Sequence, residues 1–263
     1  MKKMTGILTA QTEICPGIYD MRLRAPEVAE NAAPGQFVNL FSRDGSRLLP
    51  RPISLCGYDA ASGEIRLVYR TAGAGTREFA AMQAGEALEI LGPLGNGFPL
   101  EKAAGKKVIL TGGGIGIPPM LQTARALSEA EDGLRPESLT AVLGYRDITF
   151  LADEFRKYGD VVLATEDGSA GTRGTILDAI RERQLEADVI FACGPKPMLR
   201  VLKGYADETH TACWISLEER MACGVGACLA CVCETVEEDA HSHVHNARVC
   251  KDGPVFEAGS VVL

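Results

Sequence analysis

The chain has 263 residues, enough to bury a sizeable core in one large domain or in two to three smaller ones. Its 46% hydrophobic and 24% charged residues are those of an ordinary globular protein and exclude disorder. With 35 acidic against 27 basic residues the net charge is −8, which repels a phosphate backbone and argues against a nucleic-acid partner.

The opening residues MKKMTGILTAQTEICPG alternate polar and apolar side chains and lack the continuous apolar run of a signal peptide. No apolar run has the length that spans a bilayer, so the expectation is a cytoplasmic protein without membrane association. In that compartment thiols stay reduced, and the nine cysteines read as ligands or small core residues rather than disulfides.

From residue 5 to residue 100 the chain is built of short alternating runs, such as Gln36-Phe37-Val38-Asn39-Leu40-Phe41 and Glu64-Ile65-Arg66-Leu67-Val68-Tyr69-Arg70, broken by Gly, Pro and Asp turns. This pattern predicts an antiparallel β-barrel. Arg51-Pro52-Ile53-Ser54 enters one strand after the turn Arg47-Leu48-Leu49-Pro50. Arg51 offers a fork of donors for a phosphate, and Ser54 a hydroxyl for a ring nitrogen. Downstream, Gly73-Ala74-Gly75-Thr76 opens a short helix predicted over 77–82, whose first N–H groups suit an anion. Taken singly, each of these is ordinary turn chemistry.

The texture changes at residue 106. Lys107-Val108-Ile109-Leu110 reads as a buried strand, followed by Thr111-Gly112-Gly113-Gly114-Ile115-Gly116-Ile117-Pro118-Pro119 and a helix predicted over 120–130. Apolar runs at 138–143, 161–164 and 188–192 alternate with helical stretches, as in a parallel sheet with crossover helices. A second loop, Cys193-Gly194-Pro195-Lys196-Pro197-Met198, also follows a strand and precedes a helix. Two such loops at the carboxyl edge of one parallel sheet define a crevice for a nucleotide. Glu166 and Asp167, after the strand ending at Ala164, would repel a 2′-phosphate, whereas Arg146 would attract one; the balance favours NAD over NADP.

Five of the nine cysteines lie between 223 and 250. Cys223, Cys228 and Cys231 are spaced C-x4-C-x2-C, and Cys250 follows at a distance, which matches the plant-type spacing for a [2Fe-2S] centre. Gly224, Gly226, Ala227 and Ala230 let a tight loop wrap such a cluster and aim N–H groups at its sulfurs. A structural zinc on the same four cysteines is the alternative, although its usual paired C-x2-C knuckles are absent. Cys233 should share a face with Cys231 and is a possible substitute ligand. His241, His243 and His245 read as a solvated loop, and Cys15, Cys56, Cys193 and Cys213 as small apolar residues.

The R-P-x-S strand, the Gly-Thr helix start, the GGGIGIPP loop and the CGPKPM loop, in this order, resemble the ferredoxin–NADP reductase family over residues 5–205. With the segment Glu219-Arg220-Met221-Ala222-Cys223-Gly224-Val225-Gly226-Ala227-Cys228-Leu229-Ala230-Cys231, nearly the whole chain is similar to the electron-transfer subunits of type B dihydroorotate dehydrogenases. Ile53 departs from plant-type reductases, which place an aromatic residue there, and the chain runs on into cysteines where theirs ends on an aromatic.

The resemblance implies a β plus α/β architecture: an antiparallel FAD-binding barrel over 1–102, a parallel-sheet NAD-binding domain over 103–214 and a small [2Fe-2S] module over 215–263. It implies that Arg51, Pro52, Ile53, Ser54, Val68, Tyr69, Arg70, Gly75 and Thr76 hold FAD. Gly113, Gly114, Cys193, Gly194 and Pro195 would meet the nicotinamide nucleotide, and Cys223, Cys228, Cys231 and Cys250 would bind the cluster. An FMN-containing dihydroorotate dehydrogenase catalytic subunit would be the partner, in a heterotetramer of two plus two, with NAD as electron acceptor. A subunit of another iron–sulfur reductase, linked to sulfide, ferredoxin or hydrogenase chemistry, is the alternative. No residue of this chain is assigned a catalytic role, and Met221, Val225 and Leu229 are candidate apolar contacts for the partner, with burial inside the module as the equal alternative.

Overall fold

The computed structural model describes residues 3–239 and 243–263. The alternating runs of the first hundred residues form six strands: β1 (Lys3–Cys15), β2 (Ile18–Arg24), β3 (Phe37–Leu40), β4 (Arg51–Asp59), β5 (Glu64–Arg70) and β6 (Ala87–Leu94). They close into a barrel in the order β1-β2-β5-β4-β3-β6, with every neighbouring pair antiparallel. Side chains of period two fill it, Met21 and Leu23 from β2, Val38 and Leu40 from β3, Ile65 and Leu67 from β5, Leu88 and Ile90 from β6. A short helix α1 (Pro26–Ala29) and the helix α2 (Ala74–Ala80) connect the strands. α2 begins earlier than the predicted 77–82 because Thr76 Oγ1 accepts from the N–H groups of Ala72 and Gly73, at 2.9 and 3.1 Å, and draws the glycine turn into the helix.

Beyond the barrel, β7 (Lys107–Gly113), β8 (Ser138–Tyr145), β9 (Asp160–Thr165), β10 (Thr172–Arg173), β11 (Val189–Cys193) and β12 (Ala212–Ser216) are mutually parallel, in the order β10-β9-β8-β7-β11-β12. The crossovers carry α3 (Ile117–Ser128), α4 (Ala152–Phe155), α5 (Ile176–Glu182) and α6 (Lys196–Thr209). α3 starts at Ile117, ahead of the predicted 120, because Pro118 and Pro119 occupy first-turn positions where no N–H is needed.

Strand alternation gives the sheet two buried faces. Val108, Leu110 and Phe191 pack with α3 and with Ile18, Cys56 and Val68 of the barrel. Ile109, Val142, Ile190 and Ile215 pack with α5 and α6, in a core that also takes in Phe37, Cys231, Val249 and Cys250. The last segment adds the pair β13 (Val232–Glu234) and β14 (Asn246–Arg248), then β15 (Val255–Glu257), which joins the edge of the sheet antiparallel to β12. No helix among the described residues is long and apolar enough to cross a membrane.

Candidate functional site

The four spaced cysteines come together although their chain segments are far apart. No three His, Cys, Asp or Glu side chains among the described residues are close enough to hold a single metal ion. The Cys223 thiol interacts with Cys228, and the Cys250 thiol with Cys231 and with Cys223.

The surrounding backbone suits sulfur that carries negative charge. The N–H groups of Val225 and Ala227 point at Cys223 Sγ, each at 3.4 Å, Gly226 N–H at Cys250 Sγ at 3.1 Å and Cys250 N–H at Cys231 Sγ at 3.4 Å. Burial by itself would raise the Cys223 thiol, but the Val225 amide, the Cys228 side chain and the Cys228 and Ala227 amides outweigh it and hold it down to about 6. Burial, together with the neighbouring Cys231 thiol, pushes Cys250 up to about 12. Beside Cys250 a cleft of about 210 Å³ is walled by Pro93, Gly95, Gly224, Val225 and Lys251.

Cys233 lies in β13, is buried, and sits within the apolar core that also holds Cys231 and Cys250. His243 Nδ1 is 3.0 Å from Glu238 Oε1 and His245 is exposed, while His241 lies outside the described residues. Of the three apolar residues singled out in this segment, Val225 and Leu229 are exposed and Met221 packs on the core.

The two glycine loops meet because β7 and β11 are adjacent and in register, Gly112 opposite Cys193. They touch closely: a Cβ at Gly116 would lie 2.6 Å from the Cys193 carbonyl carbon, and one at Gly113 would lie 3.2 Å from Pro195 and overlap Met198 Sδ. Cys193 is paired in register with Ser216 of β12, and its burial pushes the thiol up to about 12 despite a hydrogen bond with that serine. Ser216, which no sequence motif signals because it only closes an apolar strand, is buried beside this loop. At the ends of β8 and β9, Arg146, Glu166 and Asp167 are exposed side by side, joined through the Glu166 N–H, which donates to the carbonyls of Tyr145 and Arg146.

On the barrel, Arg51 lies across the start of α2. Its Nη1 donates to the Leu49 carbonyl, and a Cβ at Gly75 would sit 2.6 Å from its Cζ, so the guanidinium lies directly against the glycine backbone. Ile53 packs on the barrel core, which by strand alternation turns Pro52 and Ser54 outward. Val68 faces the core shared with the sheet, and Arg70 reaches toward the nucleotide loop, its Nη2 3.8 Å from the position of a Cβ on Gly114. Tyr69 is fully buried in the barrel, where its hydroxyl pairs with Gln11 Oε1 at 3.0 Å, so its backbone rather than its ring is what the outer surface presents. The structure thus joins Arg51 with Gly75, Arg70 with Gly114, and Gly113 with Pro195.

Known proteins share this sequence and fold. Residues 218–262 match the family model described as the iron-sulfur cluster binding domain of dihydroorotate dehydrogenase B. Over 267 residues the chain is 42% identical to the dihydroorotate dehydrogenase B (NAD(+)), electron transfer subunit of Bacillus cereus (strain B4264), with 100% of both chains covered. The chain belongs to this family. The same subunit of Bacillus anthracis (strain CDC 684 / NRRL 3495) is also 42% identical, over 100% of both chains. Among solved structures, an NADH-dependent reduced ferredoxin-NADP oxidoreductase superposes with a TM-score of 0.86 at 28% identity, covering 98% of this chain and 89% of that one. Phthalate dioxygenase reductase shares the fold, with a TM-score of 0.60 at 20% identity over 94% of each chain. Identity to the dihydroorotate dehydrogenase B subunits exceeds that to the reduced ferredoxin reductase, 42% against 28%, at similar coverage.

Proposed function

We propose that this chain takes electrons from the FMN of a dihydroorotate dehydrogenase catalytic subunit, through a [2Fe-2S] cluster and an FAD, and delivers them as hydride to NAD+ in pyrimidine biosynthesis. The observation that carries this reading is the set of backbone amides aimed at the sulfurs of Cys223, Cys231 and Cys250, in a loop seated on the same barrel that carries the Arg51–Gly75 contact. The cluster accepts and gives single electrons, while the flavin can hold two and exchange them as hydride.

This chain's residues supply the placement. Cys223, Cys228, Cys231 and Cys250 would hold the iron, with the amides of Val225, Gly226 and Ala227 lowering the charge on their sulfurs. Arg51 would pair with the FAD pyrophosphate, with Gly75 and Thr76 beside it and Ser54 facing the ring. Pro52, Ile53, Val68, Tyr69 and Arg70 complete the two strands against which that flavin would lie. Gly113, Gly114, Cys193, Gly194 and Pro195 form the crevice for the nicotinamide nucleotide at the carboxyl ends of β7 and β11.

We place the protein in the cytoplasm, in an assembly of two such chains with two catalytic subunits. The chain offers motifs for one flavin and one nicotinamide and no second flavin site with a positioned base, so it should not oxidise dihydroorotate by itself. The test is reconstitution. Alone, the chain should reduce artificial dyes with NADH and show no dihydroorotate-dependent NAD+ reduction; adding the catalytic subunit should restore that reaction. Conversion of dihydroorotate to orotate by the isolated chain would overturn the reading.

A further inference from the structure

The cysteine loop rests on a barrel residue that no motif marks. Asn39 lies in β3 between Val38 and Leu40, whose side chains fill the barrel, so its own side chain leaves the opposite face of the strand. There it is fully buried against the loop. Nδ2 donates to the Cys223 carbonyl at 3.4 Å, and a Cβ on Gly224, at φ +70°, would overlap Nδ2 and lie 3.1 Å from Cγ. Oδ1 has no hydrogen-bond partner among the described residues. A buried acceptor left unpaired is destabilising, and a leucine of similar size would avoid it, so packing alone does not account for an asparagine here.

Strand pairing places Asn39 opposite Pro52 and its neighbour Leu40 opposite Arg51. β3 therefore runs between the strand assigned to FAD and the loop bearing the first cysteine. The segment after Cys250 is gripped from the barrel as well. Just past β6, the Asn96 N–H donates to the Gly253 carbonyl at 2.6 Å, and Asn96 Nδ2 to the Asp252 carbonyl at 3.0 Å. The turn at Gly95 is itself held by Gln36 Nε2, which donates to the Gly95 carbonyl at 2.6 Å. The nucleotide sheet holds the C-terminal segment at other points, through β15 and the Lys196–Glu219 ion pair.

We infer that Asn39, with Asn96 as its counterpart on the Cys250 side, positions the iron–sulfur cluster relative to the flavin and so sets the rate at which electrons cross between them. The inference rests on the proposed function above. In the direction assayed with the isolated chain, NADH gives hydride to FAD, and the reduced flavin passes single electrons to the cluster, releasing its proton to solvent. Asn39 acts only on the second of these steps.

The test uses the full-length chain with its cofactors, mixed anaerobically with NADH and followed by stopped-flow absorbance, with EPR of the reduced cluster. Asn39→Leu should retain iron, acid-labile sulfide and FAD, and flavin bleaching should stay within about twofold of wild type. Arrival of electrons at the cluster should slow by about fivefold, the effect of losing one hydrogen bond on the population of the gripped loop, and the g-values should broaden or shift. Asn39→Asp, which sets an acceptor against the Cys223 carbonyl, should slow the same step at least as much.

A merely structural role would slow both steps together, and that outcome overturns the inference, as does an unchanged cluster step with an unchanged EPR spectrum. Asn96 is at the surface, so Asn96→Leu provides a variant whose folding does not depend on the core. It too should slow the cluster step and spare the flavin step. Wild-type protein without acid-labile sulfide would instead overturn the functional reading, and the inference with it.

Discussion

Replacing Arg66 with methionine should loosen the nucleotide sheet from the barrel. Arg66 projects from β5 and forks between two carboxylates: Nε and Nη2 donate to Asp20 at 3.0 and 2.7 Å, and Nη1 and Nη2 donate to Glu154 of α4 at 2.6 and 2.8 Å. The side chains of Arg66 and Asp20 are only 14% and 13% exposed, that of Glu154 36%. Methionine keeps the stem but leaves two carboxylates facing each other without their cation. Breaking a buried pair costs about 3–5 kcal/mol, and the exposure of Glu154 puts this site near the lower end, about 3 kcal/mol. At about 2–4 °C per kcal/mol for a chain of this size, the apparent Tm should fall by about 6–12 °C.

Glu154→Gln, which leaves the Arg66–Asp20 half intact, should cost only about 1 kcal/mol. Its effect has a defined pH sign. The hydrogen bond from Arg66 holds the Glu154 carboxyl below its ordinary 4.5, against the effect of burial. A depressed carboxylate contributes stability above its unfolded value and loses it as pH falls through the folded one. The gap between wild type and Glu154→Gln should therefore be full above the unfolded value of 4.5 and close as pH falls through the depressed folded value. Thermal unfolding followed by near-UV circular dichroism and by flavin release measures both variants. An Arg66→Met protein melting within about 2 °C of wild type would refute the reasoning.

Cys228→Ser should lose iron and sulfide while retaining FAD, because the flavin motifs lie on the barrel; metal analysis showing zinc without sulfide in the wild type would refute the cluster reading. Gly116→Val drives a side chain into the Cys193 carbonyl and should raise the KM for NADH by about tenfold or more while leaving FAD content unchanged; an unaltered KM would separate these loops from nucleotide binding. In a dye-reduction assay kcat/KM should be higher for NADH than NADPH, since Glu166 and Asp167 flank Arg146, and an NADPH preference would show that Arg146, with Arg173 nearby against Gly168, prevails.

Much of this protein is written in local patterns. The period of two in the first hundred residues, the glycine loops after buried strands and the close spacing of Cys223, Cys228 and Cys231 each depend on neighbours within a few positions, so the sequence alone conveys the barrel, the parallel sheet with its two glycine loops and the iron–sulfur segment. Two helices begin three residues ahead of the positions the local pattern predicts, at Ala74 and Ile117, where the Thr76 hydroxyl and the Pro118-Pro119 pair extend the first turn. What joins the parts is absent from any local pattern. Asn39 meets the Cys223 carbonyl across 184 positions and Arg66 meets Glu154 across 88. β15 turns back to pair with β12 from within the cysteine-rich segment. Such contacts are chosen by strand register and by which face of a strand each side chain takes, and a polar residue reads the same in sequence whether it ends in solvent or beneath a cysteine loop.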